Sequence, residues 1–402
     1  MLKRYIFCWV LPVTLGVPLI GQQYETNEIS NATFIKVLTP KDRAQEAGYV
    51  AETYEVITHD RYVLQLDRIT GSKKSPPSNN KPAVLLLHGV LDCSATWLLG
   101  GPKKGLGFIL ADQGYDVWMG NVRGNRYSRK HLDLSPSHSD FWMFSWHEMG
   151  LYDIPAMIDH IINHTTQKKI FMITHSQGST AFFVMASERP EYQEKIVASF
   201  PMAPAVFMSN TKSPLFQALA PHANDINLLA DLIGMYEFKA SNKLIQMIGK
   251  KVCRNPSLQP LCKNIIFLFA GFDEELNTDL LPLIPQYDPA GASVRQFAHY
   301  GQLIHSGKFQ KFDYGVVGNI KKYGQKNPPD YNLGNVKLPV YLYYGANDMF
   351  VDVQDLHQLY KSLPNVQKFL SDNFAHLDFV WGKHVDTWVY NKVLDLMKHY
   401  RK

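Results

Sequence analysis

The sequence predicts an α/β protein: a mostly parallel central sheet with helices on both faces, broken once by a mainly helical insertion. Three observations predict this. First, unbroken aliphatic runs recur ("AVLLLHG", "YDVWMGN", "KIFMIT", "KIVASFPMAP"), the pattern of strands buried on both faces. Second, segments of helical period lie between them, notably "SWHEMGLYDIPAMIDHIINHT" and "STAFFVMASE". Alternating strands and helices build βαβ units and hence a parallel sheet. Third, the alternation stops after Pro204 and resumes with "LPVYLYYG", "VQKFLS" and a final helical stretch, Asp386 to Tyr400. The core is therefore expected in two parts, 22–205 and 332–402, with an insertion over 206–331.

Each segment has its own reason. Met1-Leu-Lys-Arg, then the nearly all-apolar Tyr5 to Ile20, then polar "GQQYETNE", has the layout of a cleaved secretory signal over 1–21. The apolar run is short for a membrane span and carries Pro12 and Pro18. No other segment is long and apolar enough to cross a bilayer. "ETYEVITHDRYVLQLDRI" alternates with period two on either side of "HD" and predicts an antiparallel hairpin. "SKKSPPSNNKP" is a polar surface loop. The insertion is rich in Leu, Phe, Pro and Gly, mostly with helical periods.

The bulk numbers bound the partners. The chain has 402 residues, 46% hydrophobic and 19% charged, which suits a large buried core and excludes a disordered chain. Its net charge of +5 is mild, and loss of Lys3 and Arg4 with the signal leaves +3. With no basic run, nucleic acid is not an expected partner. Secretory entry permits disulfides and glycans. Cys253 and Cys262 are close in sequence and are expected to pair; Cys93 is then a lone, buried thiol. Asn31-Ala-Thr33 and Asn163-His-Thr165 are N-glycosylation sequons. No metal or cofactor is expected, and the protein is expected to be a monomer.

The chemistry centres on "THSQGST". Ser176 follows a buried strand and precedes a helix, so a sharp turn would lift its hydroxyl above the sheet at a helix N-terminus. The usual pattern is G-x-S-x-G; Gly178 meets its second glycine, and Thr174 stands at its first. A serine nucleophile needs a base, an orienting carboxylate and an oxyanion hole. Asp348 ends the strand "VYLYYG", and Asp352 is its rival, with helix capping as its plain role. His376 follows the last strand and belongs to a loop on the same carboxyl edge. His175 is read as structural. The amides of Val90, after His88-Gly89, and of Gln177 are the expected oxyanion donors.

These motifs resemble the acid lipases of animals, the group of gastric and lysosomal acid lipases and their insect relatives. The likeness is carried by "LLLHGVLDCSATW", "DVWMGNVRGNRYSRKH", "FWMFSWHEMGLYDIPAMID", "ITHSQGST", "DPAGASVRQFAHYGQLIHSGKFQKFDYG", "YYGANDMFVDVQDL" and "NFAHLDFVWG". The resemblance implies an α/β-hydrolase fold with a helical cap. It implies a secreted or lysosomal enzyme that cleaves neutral lipid esters at a lipid–water interface, without a cofactor. It lays the nucleophile on Ser176, the acid on Asp348, the base on His376, the oxyanion donors on Val90 and Gln177, and the cap disulfide on Cys253 and Cys262. The chain departs from that pattern at Thr174 (usually Gly), Met143, Arg126 and Cys93. Cys93 is expected to confer sensitivity to thiol reagents. Room for Thr174 is expected from a wider strand–helix approach or from a bond between its hydroxyl and nearby backbone.

Overall fold

A computed structural model describes residues 37–223, 236–238 and 274–401. The expected signal segment, Asn31, Cys253 and Cys262 lie outside the described residues. From Leu38 onward the chain forms one unit.

Among the described residues, eight strands form the main path of the sheet: β1 Val50–Ile57, β2 Tyr62–Gly71, β3 Ala83–Leu87, β4 Asp116–Gly120, β5 Ile170–His175, β6 Ile196–Met202, β7 Val340–Gly345 and β8 Val366–Ser371; a two-residue strand, Lys130–His131, pairs antiparallel with β2 beside them. Their spatial order is β1-β2-β4-β3-β5-β6-β7-β8. β1 and β2 form the expected antiparallel hairpin around Thr58–Arg61, with Val56 opposite Leu64. β2 is antiparallel to β4, and every later pairing is parallel. The aliphatic runs explain the arrangement. All residues of β3, β4 and β5 are buried, so these strands need cover on both faces, and helices supply it. Each fully buried aliphatic side chain there contributes roughly 1.5–3 kcal/mol.

Two local features differ from the sequence reading. The helical run from Trp146 is not continuous: a π turn over Met149–Asp153 separates a first short turn from the helix Ile154–His164. Pro155 supplies the physical reason, because it has no N–H for the carbonyl of Leu151. That carbonyl accepts from Arg189 Nη1 instead, at 3.0 Å. The second feature is the helix Pro40–Glu46, which Thr39 and Asp42 cap reciprocally.

The chain leaves the sheet after β6 and returns beside it at β7. Between them the described residues include the helices Pro214–Leu219, Val294–Ser306 and Gly315–Tyr323, and a two-residue pairing of Glu237–Phe238 with Ala292–Ser293. The loops after β3, β5, β7 and β8 all open at the carboxyl edge of the parallel strands, the edge where open α/β sheets present their sites.

Candidate active site

Ser176 occupies the turn between β5 and the helix Gln177–Glu188 with φ +50° and ψ −118°. A non-glycine residue holds such a backbone only when its surroundings impose it. Here they do. The Ser176 N–H donates to the Met202 carbonyl at 3.0 Å, and its own carbonyl accepts from the N–H groups of Ser179 and Thr180. Gly178 lets the helix start lie on the end of β3: a Cβ there would sit 2.7 Å from the Leu87 carbonyl oxygen and 2.8 Å from that of His88. No side chain fits that gap.

The turn aims the Ser176 hydroxyl at His376. Ser176 Oγ lies 2.7 Å from His376 Nε2, and His376 Nδ1 lies 2.8 Å from Asp348 Oδ2. All three residues are buried. The other oxygen of Asp348 accepts from the N–H groups of Phe350 and Val351, both at 2.8 Å. Those bonds fix the carboxylate. The loops of Asp348 and His376 are joined by backbone: Ala346 N–H donates to Ser371, and Asn347 N–H to Phe374. Gly345 permits this, since a Cβ there would collide with the Phe374 carbonyl.

The structure separates Asp348 from its rival. Asp352 caps the helix Val353–Ser362 through the Gln354 N–H and pairs with Lys212 Nζ at 2.7 Å. His175 does have the structural place expected of it, and more: its Nε2 donates to the main-chain oxygen of His376 at 2.9 Å. Burial drives its pKa down to about 3, so the ring stays neutral. His88 is likewise buried and lowered to about 4. Its Nδ1 donates to the Gly89 carbonyl, and its Nε2 accepts from the Val122 N–H. This ring braces the loop that carries Val90. Gly89 brings that loop against the serine; a Cβ on it would stand 3.2 Å from Ser176 Cβ. The N–H groups of Val90 and Gln177 donate to no other described residue. Phe350 packs on His376 with ring centroids 4.7 Å apart, and Phe216 stands edge-on to Phe350 at 4.5 Å. Phe216 from the insertion and Phe350 from the core thus form an aromatic wall that reaches the imidazole.

Comparison with known proteins gives this geometry a family. Residues 40–101 match the model of the partial α/β-hydrolase lipase region, and residues 82–221 match that of the α/β-hydrolase fold. Lipase 3 of Drosophila melanogaster is 46% identical over 364 residues, covering 89% of this chain and 92% of the relative. The human lysosomal acid lipase/cholesteryl ester hydrolase is 38% identical, covering 88% and 89%. The chain belongs to the animal acid lipase family. It is an ester hydrolase of the lipase type with an α/β-hydrolase fold. The bovine gastric triacylglycerol lipase is a further relative, 39% identical over 88% of this chain and 90% of its own. Among solved structures, a chain from Sulfolobus solfataricus shares the fold at 12% identity, with a TM-score of 0.58 over 87% of this chain and 94% of that one.

The lipase accommodates its departures from the family in specific ways. The sequence reading offered a bond from the Thr174 hydroxyl to nearby backbone; the hydroxyl instead lies 2.7 Å from Ser179 Oγ, and both residues are fully buried. The partner is a side chain one helical turn on, which sequence spacing alone did not suggest. Cys93 is fully buried, and burial together with Asp288 and Asp92 pushes its thiol well above the usual range. The expected sensitivity to thiol reagents is therefore corrected: the thiolate that reacts is scarce and shielded. Asp92 and Asp288 lie beside it, their polar atoms and the Cys93 sulfur all within 4.8 Å. Burial raises both carboxyls; the Asp92 charge raises Asp288 further, while the hydrogen bond from Asp288 partly offsets the rise at Asp92. Arg126 ties this corner to the insertion through Gln286 and Ala290. Met143 is half exposed. Asn163 lies in the last turn of the helix Ile154–His164 and is exposed.

Proposed function

We propose that the protein is a secreted or lysosomal serine lipase that hydrolyses neutral lipid esters, triacylglycerols and cholesteryl esters, through Ser176, His376 and Asp348. The observation that carries the reading is the single imidazole bonded to Ser176 Oγ at 2.7 Å and to the fixed Asp348 carboxylate at 2.8 Å. Ser176 Oγ attacks the ester carbonyl carbon as His376 Nε2 takes its proton. Asp348 holds the Nδ1–H tautomer and stabilises the imidazolium. The oxyanion accepts from the free N–H groups of Val90 and Gln177, each contributing about 3 kcal/mol in the transition state. Collapse breaks the ester C–O bond, and His376 returns its proton to the departing alcohol. Water, deprotonated by His376, then attacks the acyl-serine; the fatty acid leaves and Ser176 regains its proton.

The lipid substrate is supported by the activities for which the gastric and lysosomal relatives are named and by the Phe216–Phe350 wall beside the base. An apolar insertion between β6 and β7 suits a cap over an acyl crevice. The compartment is supported by the N-terminal pattern and by Asn163, an exposed acceptor for an N-glycan; Asn31 and a Cys253–Cys262 disulfide belong to the same reading. Among the described residues, no helix is long and apolar enough to cross a membrane.

The test compares wild type and Ser176→Ala on emulsified triacylglycerol, a cholesteryl ester and a dissolved short-chain ester. The proposal expects fatty acid release by the wild type on both lipids and its loss in the variant. Equal release by both proteins sinks the mechanism. Activity confined to the dissolved ester sinks the lipid substrate and makes the enzyme a carboxylesterase.

A further inference from the structure

A water-exposed helix normally buries its aliphatic face and shows its polar one. The helix Gly315–Tyr323 does the reverse. Val316, Val317 and Ile320 are 57%, 82% and 49% exposed, and Tyr314 beside them is also exposed. The side turned inward is held by polar bonds. Asn319 is buried; its amide donates to Asp313 Oδ1 and to the Lys326 carbonyl, and its oxygen accepts from the Tyr314 N–H. Tyr323 donates to the Phe312 carbonyl at 2.9 Å. The helix is thus pinned by its polar residues with its aliphatic ones facing water. Left-handed glycines, Gly315 and Gly324, bracket it.

Within the helix and the loop that follows it the charges have one sign, with Asp313 and Asp330 at the two borders of the stretch. From Tyr314 to Pro329 the chain carries Lys321, Lys322 and Lys326 and no Asp or Glu. The three lysines are exposed and form no ion pair among the described residues. Short aliphatic side chains flanked by free lysines are the makings of an interfacial lipid contact: the aliphatics enter the acyl boundary and the lysine stems reach back to the headgroups. A protein partner would more commonly be met by buried Trp, Tyr or Arg anchors.

We propose that the helix Gly315–Tyr323, with Lys321, Lys322 and Lys326, docks the enzyme on anionic lipid surfaces. Its purpose rests on the reading of the enzyme as one that acts at a lipid–water interface. Each lysine near such a surface strengthens binding about fivefold, and the gain falls as salt screens it.

Vesicle flotation tests this with diether phosphatidylcholine, alone or mixed with diether phosphatidylglycerol, lipids that offer no ester to cleave. The wild type should float with the mixed vesicles, and more weakly with the neutral ones. Val317→Asp should lower that binding about tenfold or more, since it sets a like charge and a polar group in the acyl boundary. Lys321→Gln with Lys322→Gln should lower it on mixed vesicles only, by about fivefold per lysine. Hydrolysis of a dissolved short ester by all variants should match the wild type, because these side chains already face water. Three results would overturn the proposal: no binding by the wild type, unchanged binding by the variants, or a wild-type dimer on size exclusion that Val317→Asp dissolves, which would make the face a self-association surface. Failure here with triacylglycerol still hydrolysed leaves the lipase reading intact. Docking without triacylglycerol hydrolysis overturns the lipase reading alone.

Discussion

The Thr174–Ser179 hydroxyl pair offers a direct test of how the elbow dispenses with its first glycine. Each hydroxyl is fully buried, and each has the other as its partner. Replacing Thr174 by Val keeps the shape and orphans the Ser179 hydroxyl. That should cost about 1–3 kcal/mol, the penalty of an unsatisfied buried polar group. Ser179→Ala should cost a similar amount by orphaning Thr174. The double variant removes both hydroxyls, so it should lose less than the two singles added together, with a coupling of about 1 kcal/mol or more. Thermal midpoints of the four proteins, with turnover of a dissolved ester, complete the cycle. Turnover per folded molecule should change little, because neither hydroxyl touches His376 or the oxyanion amides. Strictly additive losses would refute the pairing. A collapse of turnover at unchanged stability would mean that the pair positions Ser176.

Other variants probe the rest of the site. Asp348→Asn should lower kcat about 10⁴-fold, by analogy with loss of the orienting carboxylate in other triads. Asp352→Asn should leave turnover near wild type and shift only the thermal midpoint, by the few tenths to about 1 kcal/mol expected of a weakened helix cap and a half-exposed ion pair. Equal loss in both would return Asp352 to contention. Gly178→Ala should unfold the elbow or abolish turnover, because its Cβ meets two carbonyl oxygens under 3 Å away; a stable, fully active protein would show that this approach is not needed. The Asp92–Asp288 pair predicts a pH effect. Both folded-state pKa values are raised, so the folded protein binds protons that the unfolded chain releases above about pH 4. Their contribution is most favourable in acid and is lost as pH rises through the raised values. Asp92→Asn should therefore gain in thermal midpoint over wild type as pH increases from about 4. A difference independent of pH would refute the linkage.

Several of these features could be read in the chain, and the reason is that they are local. The aliphatic runs announced β3 to β7 because a strand buried on both faces must be apolar throughout. The order Ser176, Asp348, His376 was legible because Ser176 and Asp348 follow such runs and His376 follows the last strand, and parallel strands bring their carboxyl ends to one edge. The family likeness added the same assignments along nearly the whole chain. The encounters between distant segments were not legible. No periodicity announces that His175 steadies the main chain of His376, or that Phe216 reaches Phe350 beside it. The meeting of Asp92 with Asp288 depends on the path of the insertion back to the loop after β3.

Thr174 marks the boundary between the two kinds of information. The sequence by itself showed that the elbow lacks a glycine and that a β-branched residue must find space there. Only the tertiary structure decided how, because the partner of the Thr174 hydroxyl depends on the angle at which the helix leaves Ser176. That angle is set by the φ of Ser176 and by the contact of Gly178 with the end of β3, a strand far away in the chain. Local pattern determines which elements form and which reactive residues end them; the close approach of separate elements determines which side chains meet.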